Sequence, residues 1–324
     1  MKKVLVLART FGRYSHEPIV LLEKNGFVVE RKEKIESQDL KNFEAIIVGV
    51  QKITRNMLEN SSIKIIAKHG VGVDNIDLSA ATELGIPVTV TPNANAVSVA
   101  ELTVGLIFAL ARKLVESHKT LYEKRQFVSS IGIELSGKTL GVVGFGSIGR
   151  EVSKRAICLG MRVLVYDPYV QEESLRQVGA EKVELEELLK QSDFVSLHVP
   201  LNESTRNLID KRKISLMKKT AYLINTARAG VVDETALIDA LKNGQIAGAA
   251  LDVFEPEPLP SDSPLFDCPN LILTPHVGAH TFEAILRMNM MAAESIVDFF
   301  NGKIPKYVAN NTVLEKLRQK GFKE

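Results

Sequence analysis

Three short motifs late in the chain carry residue types that could do chemistry together. In "LINTARAGVVDE" (223–234) Arg228 stands among small and apolar neighbours, directly after a run that reads as a buried strand, and no acidic residue is nearer in sequence than Asp233. A guanidinium in such a setting is rarely buried without an anion to pair with it. "LDVFEPEP" (251–258) holds Asp252, Glu255 and Glu257, and "LTPHVGAH" (273–280) holds His276. Reducing a carbonyl on an acidic substrate calls for a fixed cation, a proton carrier that titrates near neutrality, and a group that tunes the carrier. Arg228, His276 and a glutamate fit those three tasks, because an adjacent carboxylate stabilises an imidazolium. Each residue also has an ordinary use, as a structural ion pair, a turn residue or a solvated loop acid. Their joint occurrence, in order and at the ends of strand-like runs, is what points to a site.

A second constellation lies upstream. "GVVGFGSIGR" (141–150) places Gly144, Gly146 and Gly149 in G-x-G-x-x-G spacing, with an apolar strand before it and a helical pattern, opened by Ser147 and Ile148, after it. One glycine makes the tight turn, the next lets backbone N–H groups approach a pyrophosphate, and the third lets helix pack closely on strand. The helix start then meets the anion with its partial positive charge. Asp167 ends the next strand-like run, eighteen positions after Gly149. That is where a ribose-binding carboxylate is expected. Pro168 and Tyr169 follow, with no Arg or Lys to receive a 2′-phosphate, so NAD is expected rather than NADP. Arg150 either reaches the pyrophosphate or lies solvated at the helix start.

The elements that would position these residues form an α/β pattern. Strand-like runs at 3–8, 27–32, 45–50, 63–70 and 87–92 alternate with helical patterns such as 18–26 and 75–85. No glycine fingerprint marks that half. The alternation restarts after residue 138, with runs at 139–144, 162–167, 193–199, 221–227, 246–254 and 271–276, the six strands of a complete dinucleotide-binding sheet. Two doubly wound parallel-sheet domains are therefore expected, suiting a chain of 324 residues. "VAELTVGLIFALAR" (99–112) is apolar on nearly every side, so it reads as a helix buried in a core or a subunit interface. After the long helical pattern at 280–303 too few residues remain for another domain, and the tail is expected to cross back onto the first, making that domain discontinuous.

Composition narrows the class. Forty-one basic residues against 39 acidic ones give no electrostatic case for nucleic acid or a membrane surface as partner. Cys158 and Cys268 lie far apart and in no metal-ligand spacing, so a reducing compartment and no metal are expected. The opening "MKKVLVLART" is too short in its apolar run for a secretory signal, and the longest apolar stretch is too short to span a bilayer. A cytoplasmic protein is expected.

Taken in order, "HGVGVDNIDLSAA", "TPNANAVSVAELTVGLIFALAR", "GVVGFGSIG", "NTARAGVVDETAL", "LDVFEPEP" and "LTPHVGAHT" resemble the D-isomer-specific 2-hydroxyacid dehydrogenases, most of all their D-3-phosphoglycerate dehydrogenase branch. The likeness runs from about residue 40 to about residue 300. It implies a Rossmann NAD-binding domain (99–283) inserted in a discontinuous flavodoxin-like substrate domain (1–98 and 284–324), and a homodimer. It further implies Arg228, His276 and Glu257 (rather than Glu255) as catalytic residues, with Asp252 toward the nicotinamide carboxamide. His198, Pro200 and Thr226 fall at cofactor-side positions. The loop "GVGV" (70–73), with Val71 and Gly72, would hold the substrate carboxylate through its backbone, beside Arg228 and His276. The implied reaction is hydride transfer between nicotinamide and C2 of a small 2-hydroxy or 2-keto acid.

The resemblance thins where that branch often carries a basic residue for the substrate phosphate. Gly49, Val50 and Gln51 stand there, with Lys52 next and Arg9, Arg13 and His16 after the first strand. Glyoxylate or hydroxypyruvate reduction is the alternative within the family. An NAD(H)-sensing corepressor-like binding protein is the alternative from another class.

Overall fold

The computed structural model describes residues 1–33 and 35–323. Its chain divides into two compact units, Met1–Asn95 together with the chain from His280 onward, and Ala96–Ala279. Both junctions fall three or four residues before the expected limits, for a local reason. The helix Ala96–Ala111 is a single rod whose Ala100, Leu106 and Ile107 pack in the core of the second unit. Thr281 caps the helix Phe282–Phe300, its hydroxyl accepting from the Ala284 N–H, and that helix supplies the core of the first.

The first unit holds five parallel strands: β1 (Lys2–Val6), β2 (Phe27–Arg31), β3 (Ala45–Val48), β4 (Ile65–Lys68) and β5 (Val88–Thr89), in the order β2-β1-β3-β4-β5. This is the flavodoxin-like order. Side chains alternate across the sheet as the period of two requires. Val4 and Val6 join the core beneath Ala292, Ala293 and Ile296, while Leu5 and Leu7 face Leu40, Phe43 and Leu58 on the other side. The tail packs on this sheet's edge: Val308 pairs antiparallel with Thr89, and buried Asn310 accepts from the Val88 N–H at 2.9 Å and donates to Ile86 O and Thr82 Oγ1 at 3.0 Å each.

The second unit holds seven parallel strands: β6 (Thr139–Val143), β7 (Arg162–Tyr166), β8 (Glu181–Lys182), β9 (Phe194–Leu197), β10 (Tyr222–Asn225), β11 (Gly248–Leu251) and β12 (Leu271–Leu273). Their order, β12-β11-β10-β9-β6-β7-β8, is the 3-2-1-4-5-6 order of dinucleotide-binding sheets extended by one strand. The sequence predicts six strands and the sheet has seven. The added member is β8, whose two residues are charged and exposed at the sheet edge. A strand that buries neither face needs no apolar run, so its sequence carries no strand signal. No helix among the described residues is long and apolar enough to cross a membrane.

Asn310 ties the tail to the edge of the first sheet with three hydrogen bonds in a buried place. Replacing it with Ala strands the Val88 N–H and the Ile86 carbonyl, so Asn310→Ala is expected to cost about 2–3 kcal/mol in urea unfolding. A loss of less than about 0.5 kcal/mol would show that water replaces the side chain at no cost.

Candidate active site

The glycine turn follows β6. Gly144 has φ +94°, and a Cβ there would lie 2.7 Å from the His198 carbonyl oxygen, so only glycine fits. A Cβ on Gly149 would meet Gly144 O at 2.0 Å, which is the close strand-to-helix approach the spacing predicts. Around Gly146 the outcome differs: nothing lies within 4 Å of a built Cβ, leaving the backbone open to a ligand. The twelve-residue helix Ser147–Cys158 begins there without a side-chain cap, so the first-turn N–H groups, those of Ser147, Ile148 and Gly149, have no intrahelical acceptor. Asp167, at the end of β7, is fixed beside the turn: Oδ2 accepts from the Phe145 N–H and Oδ1 from the Tyr169 N–H, both at 2.8 Å. An open backbone, an uncapped helix start and a fixed carboxylate fit the pyrophosphate and ribose of a dinucleotide. Arg150 lies over the Phe145 ring, its guanidinium carbon 4.7 Å from the centroid.

His198 follows β9. Its Nε2 is 2.8 Å from Ser196 Oγ, and its Nδ1 is buried with no partner. Burial pushes its pKa down to about 3, so the ring is neutral at physiological pH. Pro200, two residues on, is exposed, and its carbonyl accepts from Thr205 Oγ1 at 2.6 Å. Thr226 is buried, with its hydroxyl 2.9 Å from that of Thr103 on the helix Ala96–Ala111.

Arg228, Glu257 and His276 come from three consecutive strand ends. Arg228 follows β10 and is half-buried. Its position depends on Asn225, buried at the end of that strand, whose Nδ2 donates to Arg228 O at 2.9 Å and whose Oδ1 accepts from the Ala227 N–H at 3.0 Å. The Arg228 Nη1 donates to Ala227 O at 2.8 Å. Glu257 lies beyond β11: its Oε1 accepts from the Phe254 N–H at 3.0 Å, and its Oε2 is 2.7 Å from His276 Nδ1. Glu255 is instead exposed and 3.9 Å from Arg206. Burial acts to raise the Glu257 carboxyl, but the hydrogen bonds from His276 and the Phe254 amide, with the charges of His276 and Arg228, outweigh it and hold the group below the ordinary glutamate value. The guanidinium that looked solitary in sequence thus acts on a carboxylate 29 residues away. The side chains of His276 and Glu257 remain 37% and 27% exposed, so reactants can reach the pair.

Asp252 is 1% exposed, and three protein donors surround it. Its Oδ1 accepts from Thr274 Oγ1 at 2.6 Å and from the Val277 N–H at 2.9 Å, and its Oδ2 accepts from the Gly278 N–H at 2.8 Å. Val71 and Gly72 belong to the other unit, in a turn after β4 with Val71 exposed. That turn starts from Gly70, whose N–H donates to Thr91 Oγ1 at 3.1 Å and whose carbonyl accepts from the Thr91 N–H at 2.9 Å. Beside it Lys68, 7% exposed, donates to Gly49 O at 2.6 Å and Asn75 Oδ1 at 2.7 Å. Sequence reasoning passed over Lys68, Asn225 and Thr274. The first two stand within strands that read as uniformly buried, and a polar residue in such a run is the signal that could have found them.

A model of the D-isomer specific 2-hydroxyacid dehydrogenase NAD binding domain matches residues 104–278. D-3-phosphoglycerate dehydrogenase of Methanocaldococcus jannaschii is 45% identical over 296 residues, which is 89% of this chain but 55% of that enzyme. The chain thus spans about half the length of such relatives. Glyoxylate reductase of Korarchaeum cryptofilum is 44% identical over 265 residues, 80% of each chain. Among solved structures, D-lactate dehydrogenase of Aquifex aeolicus, complexed with NAD and lactic acid, superposes with a TM-score of 0.83 at 32% identity, covering 93% of this chain and 96% of that one. With the fingerprint, the strand order and these likenesses together, the chain belongs to the D-isomer-specific 2-hydroxyacid dehydrogenase family and carries its NAD-binding domain.

Proposed function

We propose that the protein is an NAD-dependent D-2-hydroxyacid dehydrogenase, with Arg228, Glu257 and His276 as its catalytic residues. The observation that carries this is the 2.7 Å contact between His276 Nδ1 and Glu257 Oε2 at the carboxyl ends of a dinucleotide-binding sheet, with the Arg228 charge acting on the same carboxylate. The nicotinamide cofactor, when bound, would donate a hydride to C2 of the keto acid as NADH and accept one from the hydroxy acid as NAD. Glu257 holds His276 by Nδ1, which leaves Nε2 as the atom that gives a proton to the keto oxygen in reduction and takes it back in oxidation. Arg228 binds the substrate carboxylate and steadies the charge that develops on the carbonyl oxygen. The Gly146 backbone, Ser147, Ile148 and Asp167 hold the dinucleotide, with His198, Pro200 and Thr226 as further cofactor-side contacts.

The leading substrate reading is D-3-phosphoglycerate or its keto acid, as the likeness to D-3-phosphoglycerate dehydrogenases suggests. Glyoxylate or hydroxypyruvate reduction is favoured by a specific observation: Gln51 stands after β3 where a basic residue would serve a phosphate, and its Nε2 is bound to Leu7 O at 2.8 Å. Lys52, Arg9 and Arg13 are exposed. Initial rates with NADH and glyoxylate, hydroxypyruvate and phosphohydroxypyruvate decide among these. NADH binding without turnover of any keto acid would favour the sensor reading. We also propose a cytoplasmic homodimer. Exposed Val97 and Phe108 on the helix Ala96–Ala111, followed by Leu114, Leu121 and Tyr122, support the dimer, and two free cysteines support the compartment.

Arg228→Ala is expected to lower kcat/KM for keto acids by about 10³-fold or more while NADH affinity stays within about three-fold. Collapse of NADH binding would move Arg228 to the cofactor. Glu257→Gln removes the charged group that holds the His276 ring at Nδ1. Reduction should slow by about 10–100-fold with NADH affinity kept within about three-fold; an unchanged rate would count against the pairing. Asp167→Ala should weaken NADH binding and narrow the preference over NADPH, read by fluorescence titration with each. An unchanged ratio removes Asp167 from the ribose.

A further inference from the structure

We propose that Asp252 is a positioning residue for His276, acting through a clamp on the turn Thr274–Gly278 that Thr274 and Ser98 complete. This inference rests on the dehydrogenase reading and assigns Asp252 work other than the expected contact with the nicotinamide carboxamide. A carboxylate this deeply buried has to fill its lone pairs. Asp252 fills them with three donors, and these straddle His276 in sequence: Thr274 Oγ1 before it, the Val277 and Gly278 amides after it.

The held residue has a backbone that needs holding. His276 has φ +52°, in the left-handed region that a non-glycine residue enters only when its surroundings impose it. Its N–H donates to Thr274 O at 2.9 Å, so the residue that anchors Asp252 by its hydroxyl also closes the turn by its carbonyl. From the opposite side Ser98 donates to Gly278 O at 2.6 Å in a fully buried bond. A Cβ on Gly278 would lie 3.1 Å from Asp252 Oδ2 and 3.3 Å from Val99 Cγ2, so the turn sits between carboxylate and helix with no slack.

The same short segment that supplies Asp252 supplies Glu257, five residues on, which grips the His276 ring at Nδ1. Backbone and ring are therefore fixed from one piece of chain, and the direction of Nε2 follows from both holds. Loss of the clamp would leave Glu257 able to bind a ring that points elsewhere.

Thr274→Val keeps the shape of the side chain and removes its donor. With purified full-length protein, kcat for the best keto acid is expected to fall by about 10–100-fold, the cost of a small misplacement of a catalytic group. The keto-acid KM and the NADH dissociation constant should stay within about three-fold, because nothing that binds has been removed. Thr274→Ser, which restores the donor, should recover most of the loss. The His276 ring signals in a ¹³C-HSQC spectrum of the NADH-free protein should shift in the Val variant and return in the Ser variant. If Thr274→Val does not fold, Ser98→Ala loosens the turn from the other side and carries the same test. Unchanged kcat with unchanged ring signals would overturn the clamp, and so would a collapse of NADH affinity, which would place this network on the cofactor. A wild-type protein that turns over no keto acid would sink the dehydrogenase reading alone, and the ring signals would still decide the clamp.

Discussion

The site depends on one hydrogen bond between a carboxylate and an imidazole supplied by neighbouring strands. Glu257 and His276 are 19 residues apart in sequence, and their meeting at 2.7 Å requires β11 and β12 to end side by side. Parallel pairing provides this, because every strand of such a sheet delivers its carboxyl end to the same edge. The pair is partly exposed, so the strength of its attraction is moderated by water. Its value is directional: it leaves one ring nitrogen oriented and the other committed.

Two kinds of burial support that geometry. The apolar faces of the seven-stranded sheet, with Leu223, Val195 and Leu197 on one side and Val142, Ile224 and Ala250 on the other, set where the strand ends lie. Polar groups, buried at Asn225 and Asp252 and half-buried at Asp167, then set where the chain goes after each strand ends. Asn225 steers the segment carrying Arg228, Asp252 steers the turn carrying His276, and Asp167 fixes the glycine turn. Each is satisfied by backbone donors or acceptors, which is the condition under which a polar group can be buried at little net cost.

Much of this was legible in the sequence, and the reasons differ by feature. The glycine fingerprint could be read because a tight turn and a close helix contact exclude side chains at Gly144 and Gly149, while Gly146 leaves its backbone open. Interior strands could be read because both faces are buried, giving near-continuous apolar runs such as "AIIV" and "FVSL", the latter broken only by Ser196. The edge strand β8 could not be read, since exposure removes the apolar requirement. Nor could the surroundings of Arg228, because the carboxylate its charge acts on arrives from a different strand end.

The sequence by itself determined the α/β class, the dinucleotide fingerprint, the family resemblance and the short roster of chemically capable residues, since these follow from local spacing and composition. The folded chain added the contacts: Glu257, the glutamate the resemblance selects, meets His276 at 2.7 Å while Glu255 lies near Arg206, Asp252 accepts three donors from the turn around His276, and an exposed two-residue strand completes the sheet. The physical reason is shared. Such facts depend on which strand ends lie side by side and on which buried atoms need partners, and neither is set by neighbours along the chain.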